Sequence, residues 1–113
     1  MKLPDAVRAV VKLEKLTEYS LNPAHDKGGH KARVFAAALG ITINDAEWLR
    51  EELLRIALEG EARLAKTSIF GKHYVIDALI TRGERSAVVR TAWIIEAGSD
   101  FPRLTSCYVR GKR

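Results

Sequence analysis

The hydrophobic period of this chain changes once, at Gly60, and that change limits its fold more than any other feature. Before Gly60 apolar residues recur at i, i+3, i+4 and i+7, the spacing of one helical face. After it they alternate, and the segments are rich in β-branched and aromatic residues. Helices that precede a run of strands imply an α+β domain, because short links between successive strands permit only antiparallel pairing. The expected architecture is three N-terminal helices packed on one face of a three- to four-stranded antiparallel sheet. A chain of 113 residues fits one domain, residues 1–113, with room for one core.

The segment LEKLTEYSL, Leu13 to Leu21, puts Leu13, Leu16 and Ser20 on one stripe, and Asn22-Pro23 ends it. After Gly28-Gly29, read as flexible backbone, a second helix is predicted over HKARVFAAALG. Its apolar face is Ala32, Phe35, Ala36 and Leu39, and Gly40 stands just past its end. In the third helix Asn44 and Glu47 are spaced as a capping box, with Ile43 and Trp48 as the hydrophobic staple. Leu49, Leu53 and Ile56 form its buried stripe, Glu51 and Arg55 an i, i+4 pair, and Gly60 the stop.

Strands are predicted over Tyr74 to Thr81 and Ser86 to Glu96, joined by the turn Arg82-Gly83-Glu84-Arg85, and over Leu104 to Arg110. Ala62 to Lys66 adds an edge strand, and AGSDFPR is a surface loop. Alternation assigns Ala87, Val89, Thr91, Trp93 and Ile95 to the core. Arg90 faces the other way, with Leu104, Ser106, Tyr108 and Arg110 sharing one face of the last strand. Arg90, Ser106 and Tyr108 then project together from the uncovered face, provided the register holds.

The net charge of +5 favours a polyanionic partner, nucleic acid before acidic protein. Basic residues gather at Lys27, His30, Lys31 and Arg33, at Arg82, Arg85 and Arg90, and at Arg103, Arg110, Lys112 and Arg113, which predicts one basic face. The apolar runs are far shorter than the roughly 20 residues of a membrane span, and the N-terminus lacks a signal-peptide core, so a cytoplasmic protein with no membrane partner is expected. The single cysteine, Cys107, excludes an intrachain disulfide and a Cys-based zinc site. His25, His30 and His73 come without HExxH spacing, so no metal is expected. The glycine pair 28–29 matches neither GxGxxG nor the Walker pattern, so no cofactor is expected either.

Metal-independent RNA cleavage remains compatible with this inventory. It requires a base for the 2′-OH, an acid for the leaving 5′-oxygen and fixed positive charge on the developing phosphorane. His25, Lys31, Arg90 and Tyr108 are residues of the required types. Each also has a plain structural reading: loop residue, solvated charge, salt-bridge partner and packing residue respectively.

The segments LNPAHDKGGHKARVFAAALG, DAEWLR, VVRTAWII and DFPRLTSCYV together resemble a family of small bacterial proteins of unassigned function over nearly the whole chain. The chain is also similar to C-terminal polymorphic toxin domains with a Leu-Asn-Pro-x-His segment, a Gly-x-x-Lys-Ala helix start and a strand ending in Pro-Arg-Leu-Thr. Those domains are grouped with the metal-independent ribonucleases of the barnase, RelE and colicin type. The resemblance implies roles for Asn22, His25 and Lys31, for Arg90, Thr91 and Trp93, and for Arg103, Thr105, Ser106 and Tyr108. Thr91 and Trp93 nevertheless fall on the core face. With the basic charge it implies His25, Lys31, Arg90 and Tyr108 as catalytic candidates, and His30, Arg103, Thr105, Ser106 and Arg110 as RNA-binding ones. It further implies an acidic antitoxin or immunity protein encoded nearby as partner. Two readings stand: a ribonuclease toxin, or a non-catalytic nucleic-acid- or protein-binding module such as an antitoxin or immunity component.

Overall fold

The computed structural model describes residues 1–112, with Lys112 by its backbone alone; Arg113, counted above in the basic C-terminal group, lies outside the described residues. Helix α1 is a single turn, Leu13–Lys15, that widens into a π-turn over Leu16–Ser20. The Leu21 amide there donates to the Leu16 carbonyl at 2.8 Å. This five-residue step buries Leu16, Ser20 and Leu21 together, where an α-helix would have turned Leu21 away. Helix α2 is Gly29–Leu39, and α3 is Ala46–Glu59. Gly40 ends α2 in the left-handed region at φ 67°, its amide donating to the Ala36 carbonyl.

The start of α3 differs from the sequence expectation. A short 3-10 turn, Ile43–Asp45, precedes it, and the capping box is two residues earlier: Thr42 and Asp45, with the Thr42 amide donating to Asp45 Oδ2 at 2.9 Å. Arg55 pairs with Glu52 (2.9 Å) and Glu59 (3.4 Å) in place of Glu51. The buried stripe is as expected: Leu49, Leu53 and Ile56 are at most 1% exposed.

Strands β1 (Ala62–Ser68), β2 (Gly71–Arg82), β3 (Arg85–Glu96) and β4 (Arg103–Lys112) pair antiparallel in the order β1-β2-β3-β4. This is the α+β fold the period change implies, including its fourth, edge strand. Tyr74, Ile76, Ile80, Ala87, Val89 and Trp93 enter one core cluster with Phe35, Leu39, Leu49, Leu53 and Ile56 of α2 and α3.

Two register shifts break β4, one opposite Ala92/Trp93 and one opposite Val88/Val89. The first skips Thr105, so Leu104 pairs with Trp93 and is buried at 1% exposure, whereas Ser106 pairs with Ala92 on the opposite face. Strict alternation wrongly put Leu104 and Ser106 together, because a bulge residue moves the strand by half a pleat period.

Candidate functional site

In β3, Thr91 and Trp93 face inward and are fully buried. Trp93 Nε1–H donates to Thr91 Oγ1 (2.8 Å), and that hydroxyl donates to the Ile76 carbonyl (2.9 Å). The relay meets both polar requirements of an otherwise apolar layer. These two residues of the VVRTAW segment are structural.

Arg90, of the opposite parity, faces the uncovered side directly opposite Asp77 on β2 and Tyr108 on β4. Asp77 accepts from Arg90 Nε (2.8 Å) and Nη2 (3.0 Å), a two-pronged pair, and from Arg110 Nη1 (3.2 Å). These donors, Arg90 first, hold the Asp77 carboxyl below the usual carboxylate range, and Asp77 in turn raises the Arg90 guanidinium. Tyr108, paired across the strands with Arg90, adds to that effect. From the first turn of α2, Lys31 Nζ sits 4.5 Å from the centroid of the Tyr108 ring, a cation–π contact. Lys31, Arg90 and Arg110 against Asp77 leave this cluster two positive charges in excess.

Asp77 is the residue the sequence reading missed. Its signal was a lone acid in YVIDALI at the outward parity of an apolar strand, where a charge needs an opposite partner.

His25 is elsewhere in its bonding. Its Nδ1 accepts from the amides of Lys27 (3.0 Å) and Gly28 (2.9 Å), and its carbonyl accepts from the Gly29 amide (2.9 Å). The ring meets Tyr19 edge-on at 4.4 Å between centroids. A nitrogen that accepts two N–H groups carries no proton, so the neutral ring bears its hydrogen on Nε2. His25 thus caps the entry to α2 as a side-chain acceptor, and no hydrogen bond or ring contact joins it to Arg90, Lys31 or Tyr108 among the described residues. Asn22 is similarly occupied, donating to the Glu18 carbonyl (3.3 Å) and accepting from the Ala24 amide (3.0 Å).

The glycine pair is a packing device. Both glycines are buried, and a Cβ on Gly29 would lie 2.6 Å from the Pro23 carbonyl oxygen. The segment read as flexible is a tight closure of the loop onto α2.

The remaining basic residues divide between two sides of the sheet. Arg82 pairs with Asp45 (2.8 Å) and lies over Trp48 (4.9 Å) on the helical side. There it lowers the Asp45 carboxyl to about 2. Arg103 pairs with Glu96 (3.2 Å). Thr105, the bulge residue, donates its hydroxyl to the Ala92 carbonyl (3.1 Å) and accepts Lys15 Nζ on its own carbonyl (3.1 Å). Ser106 is half-buried beside Tyr108, and His30 is exposed in the first turn of α2. Cys107, buried behind β4, has its thiol pushed up to about 12 by burial. No helix among the described residues is long and apolar enough to cross a membrane.

Residues 2–111 match the family described as Domain of unknown function (DUF6883), and the chain belongs to it. Among curated proteins nothing matches. A solved chain from a contact-dependent growth inhibition toxin–immunity protein complex of Klebsiella pneumoniae 342 is similar in fold, with a TM-score of 0.67 at 13% identity. The match covers 94% of this chain and 97% of that one.

Proposed function

We propose that this member of the DUF6883 family is the toxin of a toxin–immunity pair and cleaves RNA without a metal at the cluster of Arg90, Tyr108, Lys31 and Arg110. One observation carries the reading: cross-strand register sets Arg90 against Tyr108, and Lys31 closes on the same ring from α2. The fold shared with a chain of a toxin–immunity complex supports it. Lys31, Arg90 and Arg110 hold the phosphate and stabilise the extra charge of the phosphorane. Asp77 aims both guanidinium groups. Solvent water takes the 2′-OH proton, the 2′-oxygen attacks phosphorus, the P–O5′ bond breaks, and the Tyr108 hydroxyl gives its proton to the leaving 5′-oxygen and is reprotonated from water, leaving a 2′,3′-cyclic phosphate. His25 is left out of the acid/base pair because, among the described residues, no hydrogen bond or ring contact joins it to the cluster, and its Nδ1 is committed to the α2 entry. Ser106 beside Tyr108 and exposed His30 remain as RNA contacts. Thr105 and Arg103 are weaker ones, since their side chains already have partners.

A second reading, a non-catalytic binding module on the immunity side, draws on two findings. Asp77 occupies the fork of Arg90, and no group in the cluster stands ready as the base for the 2′-OH. Single-turnover assays on total RNA in EDTA separate the two. Cleavage by the wild type, weakened about 100-fold or more by Arg90→Ala or Tyr108→Phe and little changed by His25→Gln, supports the nuclease. Binding without product supports the module, with a log–log salt slope of about −2 for three phosphates on a single strand. Absence of both cleavage and binding overturns both.

A further inference from the structure

The edge of the sheet farthest from the cluster carries a different set of features. Ile69 is 88% exposed and Phe70 69% exposed at the tip of the β1–β2 hairpin, and Leu64 of β1 is 49% exposed. Isolated apolar residues at a surface are ordinary. Ile69 and Phe70 are adjacent at one turn, with Leu64 farther along the same hairpin, and together they expose more apolar surface than a single scattered residue does. Beside them Arg63 and Lys66 are exposed and enter no ion pair among the described residues.

The backbone of this edge is the second observation. Among the described residues β1 has only β2 as a strand neighbour. At its first residue the open side is already used as a template: the Ala62 amide donates to the Met1 carbonyl at 2.7 Å, and the Met1 nitrogen donates to the Ala62 carbonyl at 3.3 Å. Both polar groups of Ala62 therefore point away from β2. By the alternation of an antiparallel ladder, those of Leu64 point the same way. The chain leaves this edge after Met1, where Lys2 Nζ turns to the Glu59 carbonyl. Among the described residues no strand pairs with the rest of β1, in which Ala65 is skipped in the ladder with β2 between Leu64 and Lys66.

We infer that β1 is a docking edge for an extended, acidic segment of a partner protein. The segment pairs with β1 as a fifth strand, continues the ladder that Met1 begins, places carboxylates on Arg63 and Lys66 and lays an apolar side chain against Ile69 and Phe70. Main-chain bonds supply affinity in this mode, and the flanking side chains select the partner. The inference is independent of the RNA reading, because none of its residues belongs to the Arg90 cluster.

The probe is a dye-labelled eight-residue peptide alternating valine and glutamate, titrated against the full chain by fluorescence anisotropy. Binding tighter than about 1 mM is expected, with slowed amide exchange confined to β1. Arg63→Glu with Lys66→Glu, and separately Ile69→Ser with Phe70→Ser, should each weaken binding about tenfold or more. All four positions are exposed, so an unchanged thermal midpoint verifies that the variants fold. A peptide N-methylated at alternate residues should not bind, since it cannot complete the ladder. Any of four results overturns the inference: no binding at 1 mM, equal binding of the valine–lysine or the N-methylated peptide, displacement of the peptide by single-stranded RNA, or a dimer in sedimentation that the Ile69/Phe70 variant abolishes. The last would assign the edge to a second copy of this chain.

Discussion

Replacing Thr91 by valine tests whether the VVRTAW segment is structural at its inner positions. Valine matches threonine in shape, so no cavity forms, but the hydroxyl that links Trp93 Nε1–H to the Ile76 carbonyl is gone. Trp93 is fully buried, so its N–H is left without a partner at about 1–3 kcal/mol. The Ile76 carbonyl loses one of two acceptor sites in a residue still paired with position 91, a smaller cost of about 1 kcal/mol. The sum is about 2–4 kcal/mol. An unfolding entropy of about 2.1 cal/mol/K per residue over 113 residues makes 1 kcal/mol equal to about 4 °C, so the thermal midpoint should fall by about 8–16 °C. Thr91→Ser keeps the hydroxyl and loses one methyl group, about 1 kcal/mol or about 4 °C. Differential scanning calorimetry at pH 7 reads both. The ordering is the test, since hydrophobicity alone would make serine the worse substitute. A valine variant as stable as wild type, or more stable than the serine variant, refutes the relay.

Gly29→Ala should lower stability by about 1–3 kcal/mol although alanine is the better helix former. Its Cβ meets the Pro23 carbonyl at 2.6 Å, and Gly111→Ala, with nothing within 4 Å, is the neutral comparison in urea titrations. A stabilised Gly29→Ala would show that the loop closure is slack. The Asp45 carboxyl, lowered from 3.8 to about 2 mainly by the Arg82 guanidinium, favours the folded state above pH 4, and that contribution is lost as pH falls from 4 through 2. Unfolding free energies of wild type and Asp45→Asn should therefore differ at pH 7 and converge by pH 2; a gap that stays constant over that range would remove Asp45 from the account.

The order of elements was legible because the apolar period is a direct image of burial. Leu49, Leu53 and Ile56 line the core for the reason their spacing gave, and the Arg90–Tyr108 neighbourhood followed from parity in the regular stretch between the two register shifts. What failed was of one kind. Thr42, Asn44 and Asp45 are all residues that cap helices, and only the inserted 3-10 turn decides among them. The π-turn at Leu16–Ser20 changes the spacing itself, and so does the skipped residue at Thr105. A pattern read at fixed period cannot register an extra residue. His25 illustrates a further limit: a polar ring in a loop looks available in a sequence, and only the geometry reveals that backbone amides have already taken its acceptor. Asp77 is the converse, a charge whose meaning depends on which residue the register sets opposite it.

The skipped residue in β4 has a wider implication. Thr105 lets one strand serve two clients that want opposite phases, a core that takes Leu104 and an outer face that takes Ser106 and Tyr108. Were Thr105 instead to take a regular place in the ladder with Leu104 kept in the core, the faces beyond it would exchange: Cys107 would turn outward, and Tyr108 would turn away from Arg90. That insertion, the first of two in β4, is thus a hinge between stability and function. It explains how the outer face can change its chemistry from Ser106 onward without asking Trp93 to give up its neighbour.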